Sequence, residues 1–281
     1  SFTSLNLLAE AARQHGAIVV LTGDGSDELF GGYPWHRAAL DHVRYERLPF
    51  LRALLPLVSA AAGRATLGEK ARQLAPKLHA PRADYYRLTF DIVAASDKAA
   101  LLKPEARSTH DPVTPLIEAR IRQAGARELA DLSGTLDLLL WVRDHFNQRV
   151  DRMSMQHSVE ARVPFQDLEV VALALRMPMR FKLKHPRGKY PLREAFGDVL
   201  PDHVLTRAKR PFATPTAGWL RGPLRPLLES TLDARRLSAS PLDGAAVAGL
   251  VRAYLAGDDR HAYRMWMLLN FQLWYEAVMQ S

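Results

Sequence analysis

The stretch LTGDGSDELFGGY occupies Leu21–Tyr33 of a 281-residue chain. An apolar run, Ala17 to Leu21, stops at Thr22; three acids and four glycines follow before Tyr33, and a helix-like segment then begins. We read here a buried strand, an acidic glycine loop and a helix start. Open α/β folds deliver backbone amides and carboxylates to the mouth of a sheet in this way, at nucleotide and metal sites. Gly23 and Gly25 admit positive φ and a close approach of a ligand to the backbone. Asp24, Asp27 and Glu28 crowd like charges into one turn, which costs free energy unless a cation, a basic side chain or water offsets it. The same residues also read as an Asp-rich turn in which Ser26 or Asp27 caps the following helix and Gly31-Gly32 breaks it.

Sharper motifs fail on inspection. There is no GKS or GKT, so the loop is not a Walker-type phosphate loop. In an EF-hand register begun at Asp24, the sixth and twelfth positions fall on Leu29 and Trp35 instead of glycine and glutamate, which removes calcium. Ser26 lacks the flanking glycines of a nucleophile elbow. What remains is an acidic, glycine-lined loop suited to magnesium and a polyphosphate.

Composition narrows the setting. The 48% apolar and 24% charged content is that of a globular protein. The longest apolar stretch, Leu51 to Ala62, is short and interrupted by Arg52 and Pro56, so we expect no membrane span. With no cysteine there is no disulfide, thiolate metal site or cysteine nucleophile, and a cytoplasmic location is compatible. The net charge of +8 is scattered, without a basic run or interleaved aromatics, and nucleic acid is not an expected partner. The ten histidines form no HExxH. The chain starts without Met or a signal-like segment, and we expect it to begin partway through a longer protein.

Upstream of the loop, Leu5, Leu8, Ala9 and Ala12 share one helical face, ended by Gly16. Helix, strand, glycine loop and helix form the repeat unit of a parallel sheet, yet only one strand is clear. From Glu28 to Arg107 the pattern is helical, punctuated at Pro34, Pro49, Pro56, Pro76 and Pro81, and Pro56 to Gln73 reads as surface-packing helix. Ser108 to Pro115 is a loop. Leu136 to Val150 is an apolar helix with Leu139, Val142, Phe146 and Val150 near one stripe. In DRMSMQHSVEARVPFQD, Asp151 to Asp167, charges among apolar residues suggest partly buried ion pairs. Asp167 caps a helix whose Leu168, Val171 and Leu175 share a face. Lys189, Tyr190 and Arg193 begin another helix. Lys209 and Arg210, in the proline-bounded KRPFATP, are solvated charges or phosphate ligands on a stiffened segment. A helix starts at Ser240, with Pro241 at its first position and Asp243 near its third. His261 to Met279 is an aromatic, Met-rich core helix.

These blocks, LTGDGSDELFGGY, DRMSMQHSVEARVPFQD, Lys189-Tyr190 with Arg193, and TRAKRPFATP followed by Trp219, resemble in order the synthetase domain of glutamine-dependent asparagine synthetases. The resemblance runs over nearly the whole chain. It implies an α/β fold, the C-terminal portion of a parallel-sheet ATP pyrophosphatase domain, with residues 1–35 forming the strand and nucleotide/metal loop and 36–281 a mainly helical part. Members activate the side-chain carboxylate of aspartate with MgATP as β-aspartyl-AMP, and ammonia released from glutamine by another domain displaces AMP. Neither that glutaminase domain nor the family's pyrophosphate loop lies within these residues, and we expect them to be inactive alone. Carried over by position, Thr22, Gly23, Gly25 and Ser26 meet ATP, Asp27 is a magnesium ligand, and Lys209 stabilises charge on the phosphates. Asp24 stands where well-studied members carry a glutamate that forms the adenylate or handles protons at the amine. Glu160, Arg162, Lys189 and Arg193 are structural or supporting candidates. The implied cofactors are ATP and Mg2+ and the partners are small molecules; oligomeric state is open. Two other readings share the site or the fold: a macrolactam or β-lactam cyclase or cell-surface-precursor amidotransferase, and a noncatalytic remnant or binding module.

Overall fold

In the computed structural model the residues described are 2–46, 80–91, 93, 95–108, 110–125, 128–184, 188–207 and 214–279. The helix expected over Pro56 to Gln73, and Lys209 with Arg210, lie outside them. The chain is mostly helical with a small parallel two-stranded sheet. It divides into two compact units, residues 1–89 with 112–212, and residues 90–111 with 213–281.

The first unit holds the acidic loop. Helix α1 (Phe2–Gln14) ends before Gly16, whose φ of +82° turns the chain into strand β1 (Val19–Leu21). Strand β1 pairs in parallel with β2 (Glu160–Arg162), Val20 opposite Ala161, and the ladder runs on through Thr22 N–H donating to Arg162 O at 2.9 Å. The sequence reading has one strand, and β2 is the addition. It also has β1 buried, whereas Ile18 is 64% and Leu21 74% exposed. Parallel sheets ordinarily carry layers on both faces; among the described residues nothing covers these side chains. Glu160 and Arg162 flank Ala161 on β2 and pair at 2.7 Å in the open, so this ion pair is exposed and not partly buried.

Helix α2 (Ser26–Phe30) follows the loop and ends at Gly31, left-handed at φ +73°. Its N-cap is Gly25, φ +95°, with no side-chain cap, so neither Ser26 nor Asp27 caps it. Pro34 then opens α3 (Pro34–Glu46), where a missing amide hydrogen costs nothing. The expected apolar helix is the middle of a longer one. Leu129–Leu136 and Asn147–Met155 are α-helical, and the intervening Asp137–Phe146 is a π-helix, in which Asn147 N–H donates to Val142 O. The wider winding breaks the 3.6-residue stripe on which that expectation rests: Leu136, Val142 and Val150 are buried but Leu139 and Phe146 are only partly so.

Among the described residues two cores support the unit. Ala39, Leu40, Tyr85, Leu129, Ala130, Met179 and Leu183 form one; Leu29, Phe30 and Ala174 form the other. Asp167 caps Leu168–Arg176 through Glu169 N–H at 2.9 Å, as its position predicts. That helix buries Ala174 rather than the Leu168 face, for Leu168 is exposed.

In the second unit, Leu220, Leu228, Leu237, Val247, Tyr254, Met265 and Leu268 make one apolar core. The helix expected at Ser240 starts at Gly244, with Asp243 as cap, its Oδ1 accepting from Ala246 N–H at 2.9 Å. Ser240 Oγ instead accepts from Leu242 N–H, a turn that precedes the helix. Ala262–Met279 closes the unit and buries Met265, Leu268, Leu269 and Gln272. Among the described residues no helix is long and apolar enough to cross a membrane.

Candidate functional site

The loop after β1 is built from what its backbone must avoid. A Cβ on Gly32 would sit 1.7 Å from Asp27 Oδ1 and 2.7 Å from Lys189 Cε, and a Cβ on Gly188 would sit 2.2 Å from Gly31 O. Gly31-Gly32 and Gly188 therefore pass backbone against backbone, and Lys189 N–H donates to Phe30 O at 3.1 Å. This contact brings Lys189 over α2 from far along the chain. Lys189 itself is left-handed, φ +51°, at the start of helix Tyr190–Ala195. Its Nζ reaches Asp27 Oδ1 at 3.0 Å and donates to Ser26 Oγ at 2.9 Å. Arg193 fixes the same turn by donating from Nε to Gly188 O, and from its guanidinium to Leu205 O.

Behind the turn, Asn147 and Gln166 exchange two side-chain amide hydrogen bonds of 2.8 and 2.9 Å, with Gln166 Cγ 3.0 Å from where a Cβ on Gly25 would stand. Only glycine at φ +95° fits against that pair without strain.

Glu28 points away into the protein, 2% exposed, and accepts from Tyr33 Oη–H at 2.7 Å. Burial raises the Glu28 pKa; the Tyr33 hydrogen bond opposes that, and the charges of Asp27 and Asp137 add to it. Burial raises the Tyr33 pKa as well, helped by Glu28. A second carboxylate, Asp137 in the π-helical segment, is fully buried and accepts from Trp35 Nε1, His36 Nε2 and Tyr86 Oη at 2.8, 2.7 and 2.7 Å. Together these bonds tie the start of α3 and the helix Arg82–Phe90 to the π segment. Arg149 stands one turn further on. Burial lowers its pKa, while Asp24, first among the opposing charges, raises it, so Arg149 lies in the field of Asp24.

Thr22, Gly23, Asp24, Gly25, Ser26 and Asp27 are thus all on one turn at the end of β1. Thr22 Oγ1 is buried with no hydrogen-bond partner among the described residues. Gly23 is exposed, and a Cβ added there would meet nothing within 4 Å. An unsatisfied hydroxyl beside an open stretch of backbone is what a polar ligand lying along the strand end would complete. For a metal, the described residues offer no group of three His, Asp or Glu. Asp27 is a single carboxylate on the turn, and a magnesium ion held there would need most of its ligands from a polyphosphate and water. Lys189 at Asp27 is the residue whose role the sequence reading left general. Its left-handed backbone has no local signature, because a lysine at positive φ looks like any other lysine.

The first unit thus sets an acidic glycine turn at the end of a parallel strand, with a buried carboxylate network behind it. The chain belongs to the asparagine synthase family, whose sequence model it matches over residues 1–276. It is 33% identical over 283 aligned positions to a putative glutamine-hydrolysing asparagine synthetase of Mycobacterium tuberculosis strain H37Rv, covering 98% of this chain and 42% of that protein. It is 29% identical over 279 positions to glutamine-hydrolysing asparagine synthetase 1 of Bacillus subtilis strain 168, covering 99% and 43%. An amidase of Penicillium rubens, chyE, is 28% identical over 77% of the chain and 35% of its own length. The chain thus spans less than half the length of the curated relatives it matches. No solved structure matches it.

Proposed function

We propose that the chain contributes one wall of an ATP-dependent amide-forming site, in which a carboxylate is activated as an acyl-adenylate and ammonia then displaces AMP. The observation that carries the reading is the turn itself, where the buried, unsatisfied Thr22 hydroxyl and the open Gly23 backbone adjoin Asp24 and Asp27. Family membership supports the same chemistry. The acceptor we favour is aspartate and the amine ammonia derived from glutamine, as the names of the asparagine synthetase relatives suggest. A cytoplasmic setting agrees with a chain that has no cysteine.

In this reading Thr22, Gly23, Gly25 and Ser26 hold the nucleotide. Asp27 is the chain's ligand to Mg2+, which when bound neutralises phosphate charge. Lys189 orients the Asp27 carboxylate through its 3.0 Å contact and keeps the turn closed against Gly188. Asp24 lies beside the reacting groups, where a carboxylate takes a proton from the attacking amine if it is within reach. Lys209 stabilises the charge that develops on the phosphates. The test is aspartate-dependent exchange of pyrophosphate into ATP by the full-length protein. Asp27→Asn and Lys209→Ala should each abolish exchange while the unfolding transition stays in place; unchanged exchange in either variant would remove that residue from the mechanism.

A further inference from the structure

A cavity of about 370 Å³ opens in the first unit, and none of Thr22, Asp24, Asp27 or Lys189 lines it. Its lining includes Lys182, which ends the short helix Met179–Lys182 and is only 5% exposed. Among the described residues Lys182 makes no hydrogen bond or ion pair. The two carboxylates in the lining are otherwise engaged: Asp131 Oδ1 accepts from Met179 N–H at 2.5 Å, and Glu28 Oε1 from Tyr33. An ammonium on so largely buried a side chain, without a bonded counter-ion, carries a desolvation cost that an anion brought to it from solution offsets. Leu29 and Leu138 supply apolar wall, while Arg176, itself exposed, adds a second positive charge to the lining.

We propose that this cavity binds a small carboxylate with an apolar body, its anionic end on Lys182 and its body against Leu29 and Leu138. A compact dianion such as phosphate fits less well, because the Asp131 carboxylate repels a second negative charge and the leucines offer it nothing. Burial lowers the Lys182 pKa to about 8, opposed by the charge of Asp131. Other charges borne by the elements packed on this helix include Arg37 of α3, which donates to Leu183 O, and Arg193 of helix Tyr190–Ala195. The ammonium, and with it the carboxylate site, is present at neutral pH and fades as pH rises past that value.

Calorimetric titration of the full chain with benzoate tests this, with benzyl alcohol and inorganic phosphate as the neutral and dianionic controls. We expect saturable benzoate binding that exceeds binding of either control and weakens by about tenfold or more in Lys182→Met, an apolar replacement of similar length. As a second measurement needing no variant, benzoate affinity of the unaltered chain should fall between pH 7 and pH 9.5, roughly the span over which the lysine discharges. Benzyl alcohol or phosphate binding as tightly as benzoate, an affinity indifferent to pH and to Lys182→Met, or no saturable benzoate binding would each overturn the proposal.

Discussion

Gly23, before α2, and Gly32, after it, are under opposite constraints. At Gly32 a methyl group would collide with the Asp27 carboxylate at 1.7 Å, so Gly32→Ala must push Asp27 off Lys189 or open the contact with Gly188. We expect it to lower stability by roughly 1–3 kcal/mol, a typical cost of overpacking, and to remove pyrophosphate exchange in the full-length protein. At Gly23 a methyl group meets nothing, so Gly23→Ala should leave the urea midpoint nearly unchanged, within about 0.5 kcal/mol. It should still weaken ATP binding if the nucleotide backbone lies against that position. Equilibrium unfolding and nucleotide titration on both variants separate the two glycines, and a Gly23→Ala protein that binds ATP normally would move the nucleotide elsewhere.

The most exacting element is the π-helical segment Asp137–Phe146, since it places a fully buried carboxylate under three donors. Asp137→Ala leaves the Trp35, His36 and Tyr86 donors buried without an acceptor, and we expect a loss of about 3 kcal/mol or more in urea unfolding. Caps make a gentler comparison. Asp243→Ala should cost about 1 kcal/mol and Ser240→Ala less, because Asp243 is the residue that accepts from a first-turn amide, that of Ala246. The reverse order would restore Ser240 as the cap. Much at this scale is readable along the chain: Gly16 and Asp167 announce a stop and a cap, and each does so here. A π turn is not announced, because no local residue pattern separates it from an α-helical turn. Nor is β2, a three-residue strand with charged ends that is defined by pairing with β1 rather than by any alternation of its own.

Across the whole molecule, the buried carboxylate of the loop ties stability to pH. The folded-state pKa of Glu28 is raised above its ordinary 4.5, chiefly by burial, so the folded protein holds a proton that the unfolded chain has lost. The contribution of Glu28 to stability is therefore intact below pH 4.5 and declines as pH rises through its folded value. Glu28→Gln keeps the shape without the titration and should remove that slope from a series of unfolding midpoints taken across the acid range; an unaltered slope would assign it to another group. The turn bearing Asp24 and Asp27 stood out in the sequence through its density of acids and glycines. Lys189, Arg149 and the Asn147–Gln166 pair belong to the same locale but come from distant segments with ordinary local composition, and only the tertiary fold gathers them.

The parallel pairing of β1 with β2 joins Val20 to Ala161. In terms of synthesis, the strand that carries the acidic turn is made before its partner and then waits for it. Its partner emerges from the ribosome only after more than half of this chain has been translated, and Lys189 later still. Closing so long a loop is entropically unfavourable and slow compared with winding the helices between. A nascent chain that ends before Lys189 therefore carries Asp24 and Asp27 without the lysine that pairs with Asp27.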